Sequence, residues 1–227
     1  MSDRRPPLLL SATRSSWAVS AQHGTEWEKH KVLTPALRDK IFSRDKHTCQ
    51  ACGWRSERFQ EIHHKDGNHS NHQEENLETL CPLCHQSFHL LIADSTSGGT
   101  IIWLPEMSQE KLNLLCIGLF VAMRNSQSKF ASTARTVFGT LDARKSFVDE
   151  NLGQSSPGTL AQVLLNMKPD DYQKREKFVG ALRLLPYPAR FETQVDYWAS
   201  TAFKKLPQEE WSDLIEGIDV AEQAGLA

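Results

Sequence analysis

Two cysteine pairs of the form CxxC constrain this chain more than any other feature. Cys49 and Cys52 form the first pair, Cys81 and Cys84 form the second, and 28 residues lie between them. A CxxC can place two thiolates on one tetrahedral ion, and two such pairs complete a structural zinc site of four cysteines. Pro82 suits the first position of a helix that begins inside the second pair. The spacing therefore predicts a Zn²⁺ ion bound by these four residues.

The alternative, four unrelated buried cysteines, is disfavoured by the doubled spacing. The apolar run near the start, Leu8 to Leu10, is far too short for a signal peptide, so we expect a cytosolic protein. Disulfides are disfavoured too, because the cytosol is reducing. The longest apolar run, 112–123, suits a buried helix and not a membrane span, and Cys116 within it is expected to be a buried thiol. We expect a cytoplasmic protein that is not inserted in a membrane and reaches the inner membrane only through partners.

The segment between the cysteine pairs carries its own predicted structure. Its apolar alternation and turn residues predict two strands, a turn and a helix. These are a strand at 58–64, a turn at 65–68, a second strand at 77–80 and a helix from Pro82.

Four histidines of this segment have spacings that suit metal binding or contact with a substrate. On a helix, His85 and His89 are four residues apart and share a face. On a strand, His63 and His64 point to opposite sides. One strand histidine can therefore bind a metal ion together with His85 and His89, while its neighbour faces a substrate.

The rest of the chain predicts an α+β protein with a mainly helical second half. Apolar alternation at 8–20 predicts an N-terminal β-hairpin. The remaining predicted elements are a helix at 35–45, a loop at 94–99, a strand at 100–105, a helix capped by Ser108, helices at about 129–150, 158–167, 169–184 and 189–205, and a last helix from Pro207. The predicted divisions are an N-terminal arm at 1–34, a zinc module at 35–93, a helical domain at 94–205 and an acidic tail at 206–227.

The zinc module resembles the HNH family of metal-dependent nucleases, whose fold is a ββα-metal module. The similar residues are 44-RD-45, the first cysteine pair followed by Gly53, 62-IHH-64, Asn76 with Leu77, and 80-LCPLCH-85. The resemblance implies that His64 is the general base, that Asn76 fixes the loop holding His64, and that His63, His85 and His89 bind a catalytic ion. That ion would be Mg²⁺, Mn²⁺, Ni²⁺ or a second Zn²⁺, and the substrate would be DNA. His69 and His72 match nothing in the motif and are expected to be exposed loop residues.

The net charge of the zinc module favours a different function from that of a nuclease. Residues 38–92 have a net charge of -1, and three acidic side chains lie close to the expected site (Glu74, Glu75 and Glu78). A domain that binds DNA alone usually carries a basic patch. The module can therefore also be a structural zinc unit that retains nuclease residues, while a zinc-dependent nucleic-acid binder without catalysis is disfavoured.

Segments outside the zinc module resemble the IcmJ (DotN) family of type IVB secretion systems. The resemblance runs from about residue 40 to 200 and includes 98-GGTIIWLPEMSQEKLNLLCIGLFVAM-123 and 183-RLLPYPARFETQVDYWA-199. It implies a zinc-containing cytoplasmic subunit whose partners are a coupling ATPase and other type IVB secretion subunits. The alternative function is an active HNH endonuclease that cuts DNA.

Overall fold

The computed structural model describes residues 8–12, 33–124 and 130–204, and within them the chain is α+β. Ten α-helices and four short strands occur in the described ranges. In chain order these are α1 (Pro35–Arg44), β1 (Glu61–His64), β2 (Leu77–Leu80), α2 (Pro82–Gln86), α3 (Leu90–Ser95), β3 (Gly99–Trp103), α4 (Gln109–Arg124), α5 (Phe130–Ala143), α6 (Lys145–Leu152), α7 (Pro157–Asn166), α8 (Pro169–Gln173), α9 (Glu176–Val179), β4 (Leu182–Pro186) and α10 (Glu192–Ser200).

Helix α1 begins and ends as its sequence predicts. The Thr34 hydroxyl accepts a hydrogen bond from the backbone N–H of Leu37, and Pro35 occupies the first turn. At the other end, Arg44 donates to the Leu77 carbonyl at 2.7 Å, and the Asp45 carboxylate accepts from the Thr79 N–H at 2.8 Å. These bonds attach the helix to the second strand of the hairpin.

Strands β1 and β2 form an antiparallel hairpin in which Glu61 lies opposite Leu80 and His64 opposite Leu77. The second strand is confirmed over its predicted residues. The first begins at Glu61 and not at 58, because Phe59 has a φ of 67°, which lies outside the β region.

The helix after the hairpin is shorter than expected. Helix α2 ends at Gln86, and His89 precedes α3 with φ and ψ of -128° and 57°. His85 and His89 are therefore not on one continuous helix, and α3 extends into the predicted loop at 94–99. The N–H of Ser11 donates to the Ser87 carbonyl at 3.0 Å, and the N–H of Leu90 donates to the Ser11 carbonyl at 3.4 Å, so the N-terminal segment covers this break.

The described part of the expected N-terminal hairpin is not a strand. Residues 8–12 are assigned no regular structure, although Leu10 and Ala12 are buried in a core cluster. The rest of that hairpin, and the helix expected from Pro207, lie outside the described residues.

The helical half contains a second antiparallel pair, β3 with β4. The sequence predicts helix through residue 184, and this is wrong from Leu182 onward. Leu182 and Leu184 belong to one core cluster and Leu185 to another, so β4 is apolar on both faces. A short run that is buried on both sides lacks the alternation that identifies a strand.

Helix α4 begins as predicted and lies at the centre of the larger core cluster. The backbone N–H of Lys111 donates to the Ser108 hydroxyl at 3.4 Å, consistent with the expected N-cap. The buried residues of the cluster come from both the zinc module and the helical half, and they include Cys49, Cys81, Cys84, Leu112 and Phe120. Cys116 is also buried there, and burial raises the pKa of its thiol. The zinc module therefore packs on the helical half through a common core.

The remaining helices follow the predicted order with three differences, the first being that the helix expected at 169–184 is divided into α8 and α9 before β4. The helix expected at 129–150 is divided into α5 and α6, and the one expected at 189–205 begins with a 3₁₀ turn at Pro188–Phe191. None of the helices in the described ranges combines the length and apolar character needed to cross a bilayer.

Candidate functional site

The four cysteine side chains converge on one point. The first pair lies on a turn after α1, where the N–H of Gly53 donates to the Cys49 carbonyl and Gly53 has a φ of 80°. The second pair spans the end of β2 and the start of α2. The four sulfur atoms lie within 4.8 Å of one another, and the Sγ atoms of Cys52 and Cys81 are 3.7 Å apart. Sulfurs at the corners of a tetrahedron around Zn²⁺ are separated by about 3.8 Å when each bond is about 2.3 Å.

The surroundings of these sulfurs suit a closed structural site. Cys49, Cys81 and Cys84 are buried, and burial raises the pKa of the Cys81 thiol. A metal binds the negatively charged thiolate, which burial disfavours. A bound cation would stabilise that negative charge. The donor set and the sulfur separation fit a metal ion such as Zn²⁺, as the sequence predicts.

A hydrogen bond from the helical half reaches this site. The side-chain amide of Asn113, on α4, donates to Cys84 Sγ at 3.4 Å and to the Leu83 carbonyl at 3.2 Å. Gln109 in turn donates to the Asn113 side chain at 2.9 Å and to the Leu184 carbonyl at 2.8 Å. Asn113 could not be identified from the sequence, since its contact with Cys84 is long-range and leaves no local pattern.

A second candidate centre is formed by three histidines. The ligand nitrogens of His63, His85 and His89 lie within 4.8 Å of one another, and the Nε2 atoms of His85 and His89 are 3.1 Å apart. The His63 ring stacks on Phe88 with centroids 4.1 Å apart. The structure therefore brings together the three histidines expected to be ligands of a catalytic ion. Imidazole donors suit the later divalent transition metals best.

Glu61 orients one of these rings. Its Oε2 atom lies 2.5 Å from Nδ1 of His85, which leaves Nε2 directed at the cluster. A carboxylate on the second ring nitrogen is the usual way in which a metal-binding histidine is held. Glu61 was not singled out in the sequence, although it is two residues before His63 and so shares a strand face with it.

His64 lies beside the cluster and is buried. Neither of its ring nitrogens has a hydrogen-bond partner among the described residues. Burial, and then the nearby imidazoles of His69 and His72, lower the pKa of His64 to about 4. The ring is therefore neutral at pH 7, but a pKa this low makes it a weaker proton acceptor than an ordinary histidine.

Asn76 holds the loop that follows His64. Its Oδ1 accepts from the backbone N–H of Asp66 at 3.1 Å, and its Nδ2 donates to Asp66 Oδ1 and to the Asn71 carbonyl, both at 2.9 Å. The N–H of Lys65 donates to the Asn76 carbonyl at 2.9 Å. These bonds give Asn76 the contacts that a loop-fixing residue needs.

His69 and His72 are not the exposed loop residues that the sequence suggests. Both are half-buried, and their ring centroids lie 4.9 Å and 5.5 Å from that of His64. The His69 ring also lies 5.8 Å from that of His89. The loop folds back over the site, so both rings contribute to the surroundings of His64.

The histidines open into a cleft of about 580 Å³. One wall is the hairpin and its loop, and the other comes from the N-terminal segment and the helical half. The lining residues include His63, His64, His89, Ser11, Tyr172 and Arg175. The cleft therefore lies between parts of the chain that are distant in sequence.

Comparison with known proteins gives two matches of different extent, and no family model matches the chain. The chain is 33% identical over 207 residues to the type 4 apparatus protein DotN of Legionella pneumophila, covering 89% of this chain and 94% of that protein. A segment of 61 residues is 39% identical to the H-N-H endonuclease F-TflIV of Escherichia phage T5, covering 25% of this chain and 24% of that protein. The first match extends over nearly all of both proteins, and the chain therefore belongs to the DotN family of type 4 apparatus proteins.

Proposed function

We propose that this chain is a cytoplasmic subunit of a type IVB secretion or conjugation system, docked on its coupling ATPase complex. The observation that carries the proposal is the length of the similarity to DotN, which covers 94% of that protein and so includes the helical half. A nuclease motif alone would account for only the zinc module.

The packing of the described residues supports a rigid subunit. Zinc-site cysteines and residues of α4 belong to one core cluster, and the Asn113 amide joins the two parts by hydrogen bonds. A partner docked on the helical half would therefore be fixed relative to the zinc module. Under this proposal the cysteines are needed for assembly, whereas the histidines are not.

Co-purification from cells tests this role. Tagged full-length protein is expressed with the neighbouring secretion genes, beside a His64→Ala/His85→Ala variant and a Cys81→Ser variant. We expect the coupling ATPase to co-purify with the wild type and the histidine variant, but not with Cys81→Ser, whose zinc frame unfolds. The proposal is wrong if no secretion subunit co-purifies with zinc-loaded wild type.

A second candidate function is a metal-dependent nuclease with an HNH-like ββα site, and the histidine cluster favours it. His63, His85 and His89 would hold the ion, and Glu61 would orient His85. The bound cation would stabilise the negative charge that develops on a phosphodiester. His64 would take a proton from the attacking water, while the bonds of Asn76 keep its loop in position.

Plasmid nicking by zinc-loaded protein tests the second function, with Mg²⁺, Mn²⁺ and Ni²⁺ added in turn. We expect wild type to cut and His64→Ala to lose at least about a hundredfold of the rate, as for a general base. The matched control is His47→Asn, outside the cluster, since Asn tolerates the φ of 52° found there. Equal rates for wild type and His64→Ala would contradict the assignment.

A further inference from the structure

A positively charged side chain of the helical half lines the cleft beside His64. The zinc module has a net charge of -1 over residues 38–92, too little positive charge to attract a nucleic acid by itself. Arg175 lies in the short connection after α8 and lines the same cleft as His63 and His64. The positive charge missing from the module is therefore present on the opposite wall.

The Arg175 guanidinium is held in a fixed orientation. Nε donates to the Leu10 carbonyl at 3.2 Å, Nη2 to the Ser11 hydroxyl at 2.9 Å and Nη1 to the Tyr172 carbonyl at 3.3 Å. The group also lies 4.5 Å from the centroid of the Tyr172 ring. A guanidinium has five N–H groups, so one remains on each terminal nitrogen. These two N–H groups can donate charge-assisted hydrogen bonds to phosphate oxygens.

The other charges of the cleft leave it favourable to an anion. Lys65 adds a second cation, and Asp66 carries the only carboxylate among the described lining residues. Although burial opposes its ionisation, hydrogen bonds from Asn71, Asn68 and Asn76 lower the pKa of Asp66 and occupy its oxygens.

We propose that Arg175 binds a phosphodiester of a nucleic acid strand in this cleft, with the phosphate between Arg175 and His64. The proposal rests on the nuclease function and adds the helical half to its site. Arg175 would hold non-bridging oxygens through its two remaining N–H groups, and Lys65 would contact the same strand. The zinc module would then need no basic patch of its own.

The test is binding of a fluorescein-labelled DNA duplex by full-length, zinc-loaded protein, measured by anisotropy at several salt concentrations. All proteins carry His64→Ala, so that cleavage does not interfere. In this background Arg175→Gln is compared with Lys174→Gln, which removes the same charge one residue away at an exposed position outside the cleft lining. We expect Arg175→Gln to weaken binding about tenfold and to reduce the slope of log affinity against log salt by about one, as for a phosphate contact. Lys174→Gln should change the affinity less than about twofold.

Each result bears separately on the subsite and on the nuclease. An unchanged affinity and slope in Arg175→Gln would overturn the phosphate contact even if wild-type protein nicks plasmid. A loss confined to Arg175→Gln supports the subsite even if wild type does not nick, in which case only the nuclease fails. If the parent protein binds no duplex at low salt, the subsite is overturned. Should Arg175→Gln fail to fold, Arg175→Lys in the same His64→Ala background decides. Binding should be about threefold weaker with the salt slope kept, because the charge remains without the planar guanidinium, and an affinity equal to that of the His64→Ala parent would overturn the proposal.

Discussion

The Asn113 amide donates a hydrogen bond to Cys84 Sγ at 3.4 Å, so a residue of α4 contacts a sulfur of the candidate zinc site. Asn113 is fully buried, and Gln109 donates to its side-chain oxygen. The candidate zinc site and the helical half are therefore connected by a polar contact inside an apolar core. Buried polar contacts of this kind are costly to break, because each unpaired group loses its hydration without replacement.

Replacing Asn113 with Leu should destabilise the protein and loosen the zinc. The change removes the bonds to Cys84 and Leu83 and leaves Gln109 short of a partner, so we expect a loss of about 2–4 kcal/mol in the free energy of unfolding. Zinc affinity should fall at least about tenfold. Urea unfolding and zinc release to a chromogenic chelator measure the two effects. Asn151→Leu, on an exposed face of α6, is the control, and equal zinc release from the two variants would refute a role for the Asn113 bond.

The cysteine cluster should determine the zinc content of the protein. Cys81→Ser should lose zinc and leave the segment from about 45 to 90 unprotected in hydrogen exchange, because such a site supplies on the order of 10 kcal/mol to folding. Cys116→Ala is the control, since it removes a buried thiol of the same core without touching the cluster. It should keep one zinc per chain by elemental analysis. Zinc retained at full occupancy by Cys81→Ser would rule out the four-cysteine site.

Glu61 should determine how tightly the histidine cluster binds a divalent metal ion. Without its carboxylate against Nδ1, the His85 ring is free to rotate, and we expect Glu61→Gln to bind Ni²⁺ about 10- to 100-fold more weakly. Titration calorimetry on zinc-loaded protein measures this directly. Glu57→Gln removes an exposed carboxylate of the same module and should leave the affinity unchanged. Identical titrations for both variants would show that Glu61 does not support a metal ligand.

The buried His64 should make stability depend on pH. Its folded pKa of about 4 lies below the unfolded value of about 6.5, so the unfolded chain binds more protons between these two values. The free energy of unfolding should therefore be highest above about pH 6.5 and fall as the pH drops toward 4, by less than about 1.4 kcal/mol per pH unit for this residue.

Comparison of wild type with His64→Gln isolates this effect from protonation of the cysteines, which both proteins share. Urea unfolding at pH 7.5, 6.0 and 5.0, without added divalent ions, gives the difference at each pH. The stability advantage of wild type should shrink as the pH falls. A difference that stays constant with pH would contradict the neutral buried state of His64.

The cysteine pairs and the hairpin could be predicted because their signals are local. A CxxC has few other uses in a reducing environment, and the strand at 77–80 is bounded by turn residues on one side and Pro82 on the other. The three histidines were expected together, but by way of a continuous helix from Pro82 to His89. The chain instead breaks that helix after Gln86, and the rings meet across the break.

Strand β4 and the wall of the cleft could not be predicted for a different reason. Strand β4 carries apolar residues on both faces (Leu182 and Leu184 on one, Leu185 on the other). Only its pairing with β3 therefore decides between strand and helix. Arg175 and Ser11 are 164 residues apart, so nothing near either residue indicates their hydrogen bond. Tertiary contacts of this length lie beyond pattern reasoning on a single sequence.

The break between α2 and α3 makes the histidine site dependent on the start of the chain. Ser11 supplies one donor and one acceptor to the peptide groups of Ser87 and Leu90, on either side of His89. An excised fragment beginning at residue 35 would keep the cysteines and histidines of both candidate sites, but it would lose the peptide group that closes the break. Any effort to crystallise or transplant the module by itself should therefore carry residues 8–12 along, by fusion or as an added peptide.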